Sequence, residues 1–264
     1  MRKTIIFLFA FVMALSGCSL SFNEDVTKQP DEPKNQTASR NMIPKNLHIV
    51  SIGDSLTRGI GDSTNQGGYI PYLQKDLENL NEVNRVQIEN FGVRGNRTDQ
   101  LLDRLEKKEV RNALKKSDFV VITIGGNDVM KVFRENIAKL EVEVFEKERT
   151  AYEERLNKIL STVRKINSEA GIILIGLYNP FEKWFSNIEE VDDIIADWNQ
   201  ASRNILNQYE RSQFVMIADI FQDQEENLLY KDHFHPNDEG YKLIADRVFH
   251  SIKGKKLVDL VTKN

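Results

Sequence analysis

The chain has 264 residues, a formal net charge of −4 and a single cysteine, Cys18. An acidic balance without a basic cluster argues against nucleic acid as a partner. One cysteine excludes an intrachain disulfide, and its position leaves the rest of the chain without a thiol nucleophile or a cysteine-based zinc site.

Arg2 and Lys3 precede an apolar run from Ile5 to Leu15, followed by Ser16, Gly17 and Cys18. A basic start, a short apolar stretch and small residues at a cleavage point mark an export signal, expected over residues 1–17. The run is too short to span a bilayer, which takes about 20 apolar residues. Without residues 1–17, which hold two basic groups and no acid, the net charge becomes −6. Leu15-Ser16-Gly17-Cys18 resembles the lipobox of bacterial lipoproteins. That resemblance implies that Cys18 becomes the first mature residue and carries lipid. The expected location is the outer face of the bacterial membrane, with the membrane as a partner through the lipid on Cys18. Stable anchoring then takes more than one acyl chain.

Residues 18–44 comprise Cys18 and a stretch rich in Ser, Asn, Asp, Glu, Gln, Lys and Pro. Such a stretch buries too little apolar surface to fold and reads as a tether. As a flexible coil its typical end-to-end distance is roughly 25–30 Å. A single folded domain is expected over 45–257, with a tail at 258–264.

Within the domain, β-rich apolar runs at 47–52, 86–91, 119–124, 172–177 and 214–218 alternate with helical patterns near 70–80, 99–115, 129–170, 189–209 and 238–253. This alternation predicts an α/β fold with a parallel sheet in a three-layer α/β/α sandwich. The third and fourth runs are nearly unbroken Val, Ile and Leu, as in strands covered on both faces. The stretch 129–170 is long for one crossover. The charged patch Glu146-Lys147-Glu148-Arg149 predicts a break there, with a short insertion and then a crossover helix from about 150 to 168; one continuous solvated helix is the alternative.

Chemistry-bearing residues cluster where strands are expected to end, the usual place for ligands in open parallel sheets. Gly53-Asp54-Ser55-Leu56 follows the first strand. Its serine becomes a nucleophile if a base takes the hydroxyl proton, and the same string also suits a plain turn with a helix cap. Gly95, in Val93-Arg94-Gly95-Asn96, lets the backbone approach a substrate closely. Asn127, in Gly125-Gly126-Asn127-Asp128, offers a side-chain amide to a developing oxyanion, or else caps a helix. Asp232-His233-Phe234-His235-Pro236 supplies a base in His235, since an imidazole exchanges protons near neutrality. Asp232, three residues earlier, is spaced to orient it. His233 is the rival base. Tyr178, Phe181, Trp184 and Phe185 follow the fourth strand, where they wall a pocket or pack the next helix.

These four strings together resemble the SGNH, or GDSL, hydrolases over about residues 47–253. Ser55 matches the first block, Gly95 the second, Gly125–Asp128 the third and Asp232–His235 the last. The resemblance implies a five-stranded parallel sheet in flavodoxin-like order 2-1-3-4-5. It implies Ser55 as nucleophile and oxyanion donor, Gly95 and Asn127 as further oxyanion donors, His235 as base and Asp232 as its orienter. It implies no metal or organic cofactor. The position before the second-block glycine is often small in the family. Here it is Arg94, which either recognises an anionic substrate at the pocket rim or faces solvent or a nearby carboxylate. The expected activity is carboxylic ester hydrolysis of lipase or acylesterase type on a small-molecule, lipid or glycan ester. An acyltransferase or deacetylase acting on envelope glycans and a noncatalytic binding module are the alternatives.

Overall fold

The computed structural model describes residues 45–136, 142–180, 190–222 and 224–261. Strands β1 (Lys45–Gly53), β2 (Val83–Gly92), β3 (Phe119–Thr123), β4 (Gly171–Ile175) and β5 (Ser212–Val215) form one parallel sheet in the order β2-β1-β3-β4-β5. Between them run helices α1 (Ser55–Arg58), α2 (Ile70–Glu78), α3 (Thr98–Leu105), α4 (Lys108–Leu114), α5 (Gly126–Glu135), α6 (Val142–Ile166) and α7 (Glu190–Leu206), and after β5 come α8 (Ala218–Phe221), α9 (Glu225–Leu228), α10 (Asp238–Ile252) and α11 (Lys255–Val261). This is the expected three-layer sandwich in the expected strand order.

Successive strand side chains go to opposite layers, because a strand repeats every two residues. Val50, Ile52, Val120, Ile122, Ile172 and Leu174 pack with α3 to α7. Leu47, Ile49, Phe119, Val121, Ile173 and Ile175 pack with α2, α10 and α11 on the other face. Every residue of β3 and β4 is buried, which explains their unbroken apolar sequences. The register pairs Gly53 with both Gly92 and Thr123, and Thr123 with Ile175. The carboxyl ends of the first four strands therefore lie at one level, where the candidate residues gather.

Three expectations need correction. The helical pattern at 99–115 is two helices, broken at Glu106 and Lys107. Leu105 and Val110 are both buried. Five positions of an α-helix turn through about 500°, which would carry Val110 roughly 140° off the stripe. A short break returns it to the sheet. Conversely, no break occurs at Glu146–Arg149, because α6 is continuous from Val142 to Ile166. Phe145, Tyr152, Leu156, Ile159, Leu160 and Val163 make its buried stripe. Glu146 and Lys147 stay exposed, Glu148 meets Arg155 at 2.6 Å and Arg149 approaches Glu153 at 3.8 Å. The charges line the outer face of a helix already held by its apolar side.

Finally, the folded body does not stop at residue 257. Helix α11 runs to Val261, with Leu257 and Leu260 buried in the second core. A Cβ on Gly171 would lie 2.9 Å from Leu260, so this helix closes the bottom of β4. Among the described residues, no helix is long and apolar enough to cross a membrane. Residues 1–44, including the expected signal, Cys18 and tether, lie outside the described residues.

Leu260→Ala tests the last correction. It should cost about 2–5 kcal/mol of stability, as for other buried leucines. The measurement is the urea unfolding midpoint, and an unchanged midpoint would make residues 258–264 a tail after all.

Candidate active site

β1 ends in a turn that only glycine can make. Gly53 has φ +145°, and a Cβ there would lie 2.0 Å from the Thr123 carbonyl oxygen of β3. The next N–H, of Asp54, donates to that same carbonyl at 3.1 Å. Asp54 then caps α1, accepting the Leu56 N–H at 3.0 Å and the Thr123 hydroxyl at 2.8 Å on one carboxyl oxygen. Thr123 is itself met by Thr57 at 2.8 Å, Thr57 by Tyr69 at 3.1 Å and Tyr69 by Ser51 at 2.5 Å. This buried chain of hydroxyls fixes the turn that carries Ser55.

Burial pushes the Asp54 carboxyl up to about 7, against the opposing bonds from Thr123 and Leu56 and with a further push from the Asp128 charge. Asp128 is also raised by burial, although Thr98 and Arg155 work against it. Thr98 binds it through N–H at 3.0 Å and hydroxyl at 2.5 Å, and Arg155 does so at 3.1 Å. Asp128 thus pins the first turn of α5, which begins at Gly126 and carries Asn127, to the start of α3.

Gly95 sits in the turn Val93–Asn96, closed by the Asn96 N–H on the Val93 carbonyl at 3.2 Å. Its φ of +77° at the third position is that of a type II turn, which favours glycine. A Cβ on Gly95 would meet nothing within 4 Å, so the backbone here faces open space. The Asn127 side-chain amide donates to the Asn96 carbonyl at 3.0 Å, tying the third block to the second. An amide nitrogen carries two hydrogens, so one stays available. Among the described residues, no acceptor takes the N–H of Ser55 or of Gly95.

The last block folds as a tight loop. Asp232 accepts the His235 ring Nδ1 at 2.7 Å on one oxygen, and the N–H groups of Phe234 and His235 at 3.1 and 3.0 Å on the other. Burial raises this carboxyl, but those bonds outweigh it and hold it below its ordinary value. His235 is buried. His233 is exposed and sits at φ +53°, a conformation uncommon outside glycine. The loop leans on the first block: a Cβ on Gly61 would lie 2.3 Å from the Pro236 carbonyl and 3.3 Å from the His235 Cβ. The Tyr178 hydroxyl donates to the Phe234 carbonyl at 2.5 Å, while its ring stacks on Phe221 at 4.1 Å.

A narrow, partly open pocket with room of about 40 Å³ lies among these segments. Ser55, Asn127, Tyr178 and Phe234 line it, with Leu56, Ile124, Val129, Met130, Leu177 and Ile195 making an apolar wall. Tyr178 lines the cavity and packs against Phe221 of α8, not against the next helix, α7. Arg94 is exposed. Phe181, Trp184 and Phe185 lie outside the described residues. Among the described residues, no group of three acidic or histidine side chains could hold a metal ion. The motif reading missed Arg104 on α3, whose guanidinium meets Asn96 and Gly53, and it passed over the burial of Asp54. The signal for Arg104 was a cation three residues after Leu101, on the buried side of an amphipathic helix.

A serine at a strand-end turn and the Gly126–Asn127 corner line one cavity, and the loop whose Phe234 closes it carries an Asp–His pair; the fold and these groups are those of an ester-cleaving hydrolase of the sandwich type. The chain belongs to the GDSL-like lipase/acylhydrolase family, whose sequence profile matches residues 51–243. It is 37% identical over 224 residues to the uncharacterised protein YpmR of Bacillus subtilis, covering 84% of this chain and 88% of that one. It is 28% identical over 210 residues to the spore germination lipase LipC of Bacillus licheniformis, covering 76% and 94% of the two chains. A lipase from a goat rumen metagenome superposes with a TM-score of 0.70 at 25% identity, over 80% of this chain and 99% of its own. An acetylxylan esterase from Geobacillus stearothermophilus superposes with a TM-score of 0.59 at 22% identity, over 81% and 97%, and shares the fold. The chain is a carboxylic ester hydrolase.

Asp54 gives a testable pH signature. Its folded-state value lies above that of an unfolded carboxyl, so folding is penalised once the unfolded chain ionises. The wild type should lose stability from this group as pH rises from about 4 to 7. Asp54→Asn keeps an oxygen for Leu56 and Thr123 without that titration. Thermal midpoints should show the variant gaining on the wild type steadily over this window, and a constant difference would show that Asp54 does not titrate there.

Proposed function

We propose that the chain is a lipase-type serine esterase that works through an acyl-enzyme intermediate. The observation carrying this reading is the apolar cavity that has both Ser55 and Asn127 in its wall. In this mechanism the Ser55 hydroxyl oxygen attacks the ester carbonyl, and its proton passes to Nε2 of His235. Asp232 accepts from Nδ1, so the tautomer leaves Nε2 bare and the imidazolium that forms is stabilised. Charge on the carbonyl oxygen is met by the N–H groups of Ser55 and Gly95 and by the second amide hydrogen of Asn127. The intermediate then expels the alcohol, which takes the proton from His235. Water, deprotonated by the same imidazole, next attacks the acyl-serine; the Ser55 oxygen leaves, takes that proton back from His235, and the acid is released.

The cavity wall favours an acyl chain over a bare acetyl group, because each methylene removed from water contributes about 0.8 kcal/mol. The likeness to a protein named a spore germination lipase points the same way. We also propose that the chain is exported and lipid-anchored through Cys18 at the outer membrane face. The support is the basic, apolar and Leu-Ser-Gly-Cys sequence of its first 18 residues.

Two experiments test these readings. With p-nitrophenyl esters from acetyl to palmitoyl, kcat/KM should rise beyond acetyl. Ser55→Ala should abolish turnover without shifting the thermal midpoint, and Asn127→Ala should lower kcat by roughly 10²- to 10³-fold. A preference for acetyl esters or acetylated glycans would replace lipase with deacetylase. For the anchor, cells fed a labelled palmitate should incorporate label into the wild type and not into Cys18→Ala. Label in neither protein would remove the lipid from the proposal.

A further inference from the structure

Arg104 stands out among the charged groups outside the proposed chemistry. It is half-buried on α3, between the fully packed Leu101 and Leu105. Its guanidinium reaches the Asn96 side-chain oxygen at 2.7 Å, the Gly53 carbonyl at 3.2 Å and the Phe91 carbonyl. All three acceptors are neutral. Among the described residues Arg104 forms no ion pair, and burial alone pulls its guanidinium below its ordinary value. A guanidinium stays charged in proteins, and a partly buried charge without a counter-ion is costly.

The three acceptors lie where the donor-bearing segments meet. Gly53 precedes Asp54 and Ser55, and its carbonyl also accepts the Val93 N–H at 3.0 Å. Phe91 is the last residue but one of the strand that leads into the Gly95 turn. Asn96 follows Gly95, and its own carbonyl holds the Asn127 amide. One planar cation thus bonds to the first and second blocks directly and to the third through Asn96.

We propose that Arg104 is the positioning residue of the oxyanion site, fixing its three donor segments together and placing an unneutralised positive charge behind them. The inference rests on the esterase reading above. Fixed dipoles and charge aimed at a developing oxyanion lower the barrier without reorganisation during the reaction. Arginine suits this because its rigid fork serves several acceptors at once, which a lysine ammonium does not.

The test uses the full-length protein, an ester of preferred length and an alkylboronic acid. The boronic acid adds the Ser55 oxygen and becomes a tetrahedral anion, imitating the intermediate. Turnover by the wild type, absent in Ser55→Ala, establishes the esterase reading first; its absence defeats that reading and leaves Arg104 no oxyanion to serve. Given turnover, Arg104→Met should lower kcat by roughly 10- to 100-fold, less than loss of a donor itself, with KM little changed. Boronate affinity should fall by the same factor as kcat/KM. Arg104→Lys, which keeps charge but not the fork, should recover part of both losses. Should Arg104→Met fail to fold, Arg104→Lys alone decides, with parallel losses in kcat/KM and boronate affinity expected. Rates within twofold of wild type, or a fall in kcat with boronate affinity unchanged, would overturn the proposal.

Discussion

At the end of β1 the chain passes so close to β3 that one added carbon on Gly53 would sit 2.0 Å from a backbone oxygen. That approach places the Asp54 N–H on the Thr123 carbonyl and the Asp54 carboxyl on the Thr123 hydroxyl. Ser55 is the next residue, so its position follows from a contact between two buried strands and not from a loop. Buried strands and their hydrogen bonds are the least mobile parts of a domain. The same level of the sheet supplies the Gly95 turn from β2 and the Asn127 corner from β3. The aligned register of β1, β2 and β3 is what gathers these groups.

The site is held largely by charges and hydroxyls under the surface. Asp128 ties α5 to α3 through Thr98 and to α6 through Arg155, and Arg155 continues to Glu148. Asp54 and Asp128 are both raised by burial, whereas Asp232, at the rim, is held low by three donors from its own loop. The acids therefore differ in environment. Two lie under the first and third blocks, where burial disfavours their charge. The third is partly open to solvent and kept ionised beside His235, as a carboxylate paired with an imidazole requires.

The cavity extends the same logic to the substrate. Its polar groups, Ser55 and Asn127, stand at the strand ends, while its wall is built from β3, β4, α5, α7 and the Phe234 loop. A few placed polar groups over an apolar lining are the common pattern of small-molecule sites. Tyr178 links the two parts, since one side chain both lines the cavity and carries the carbonyl of the residue before His235.

The sequence by itself determined the architecture and the identity of the chemical groups. The unbroken Val, Ile and Leu runs of β3 and β4 dictate covered parallel strands, and Gly53, Ser55, Gly95, Asn127, Asp232 and His235 occur in short strings legible one by one. Only the tertiary structure decided what depends on distant neighbours. Glu146–Arg149 looks like a break in the sequence, yet the stripe from Phe145 to Val163 is buried against the sheet and the neighbouring helices of its own layer, and the helix runs through. Leu260 looks like part of a tail until Gly171 leaves it a seat. Arg104 stands beside the apolar stripe of its helix in the sequence, but the oxygens it binds lie 51, 13 and 8 residues away. Local pattern sets which face of an element is apolar; which partner meets that face, and which charge is left buried without one, is fixed only when the whole chain has packed.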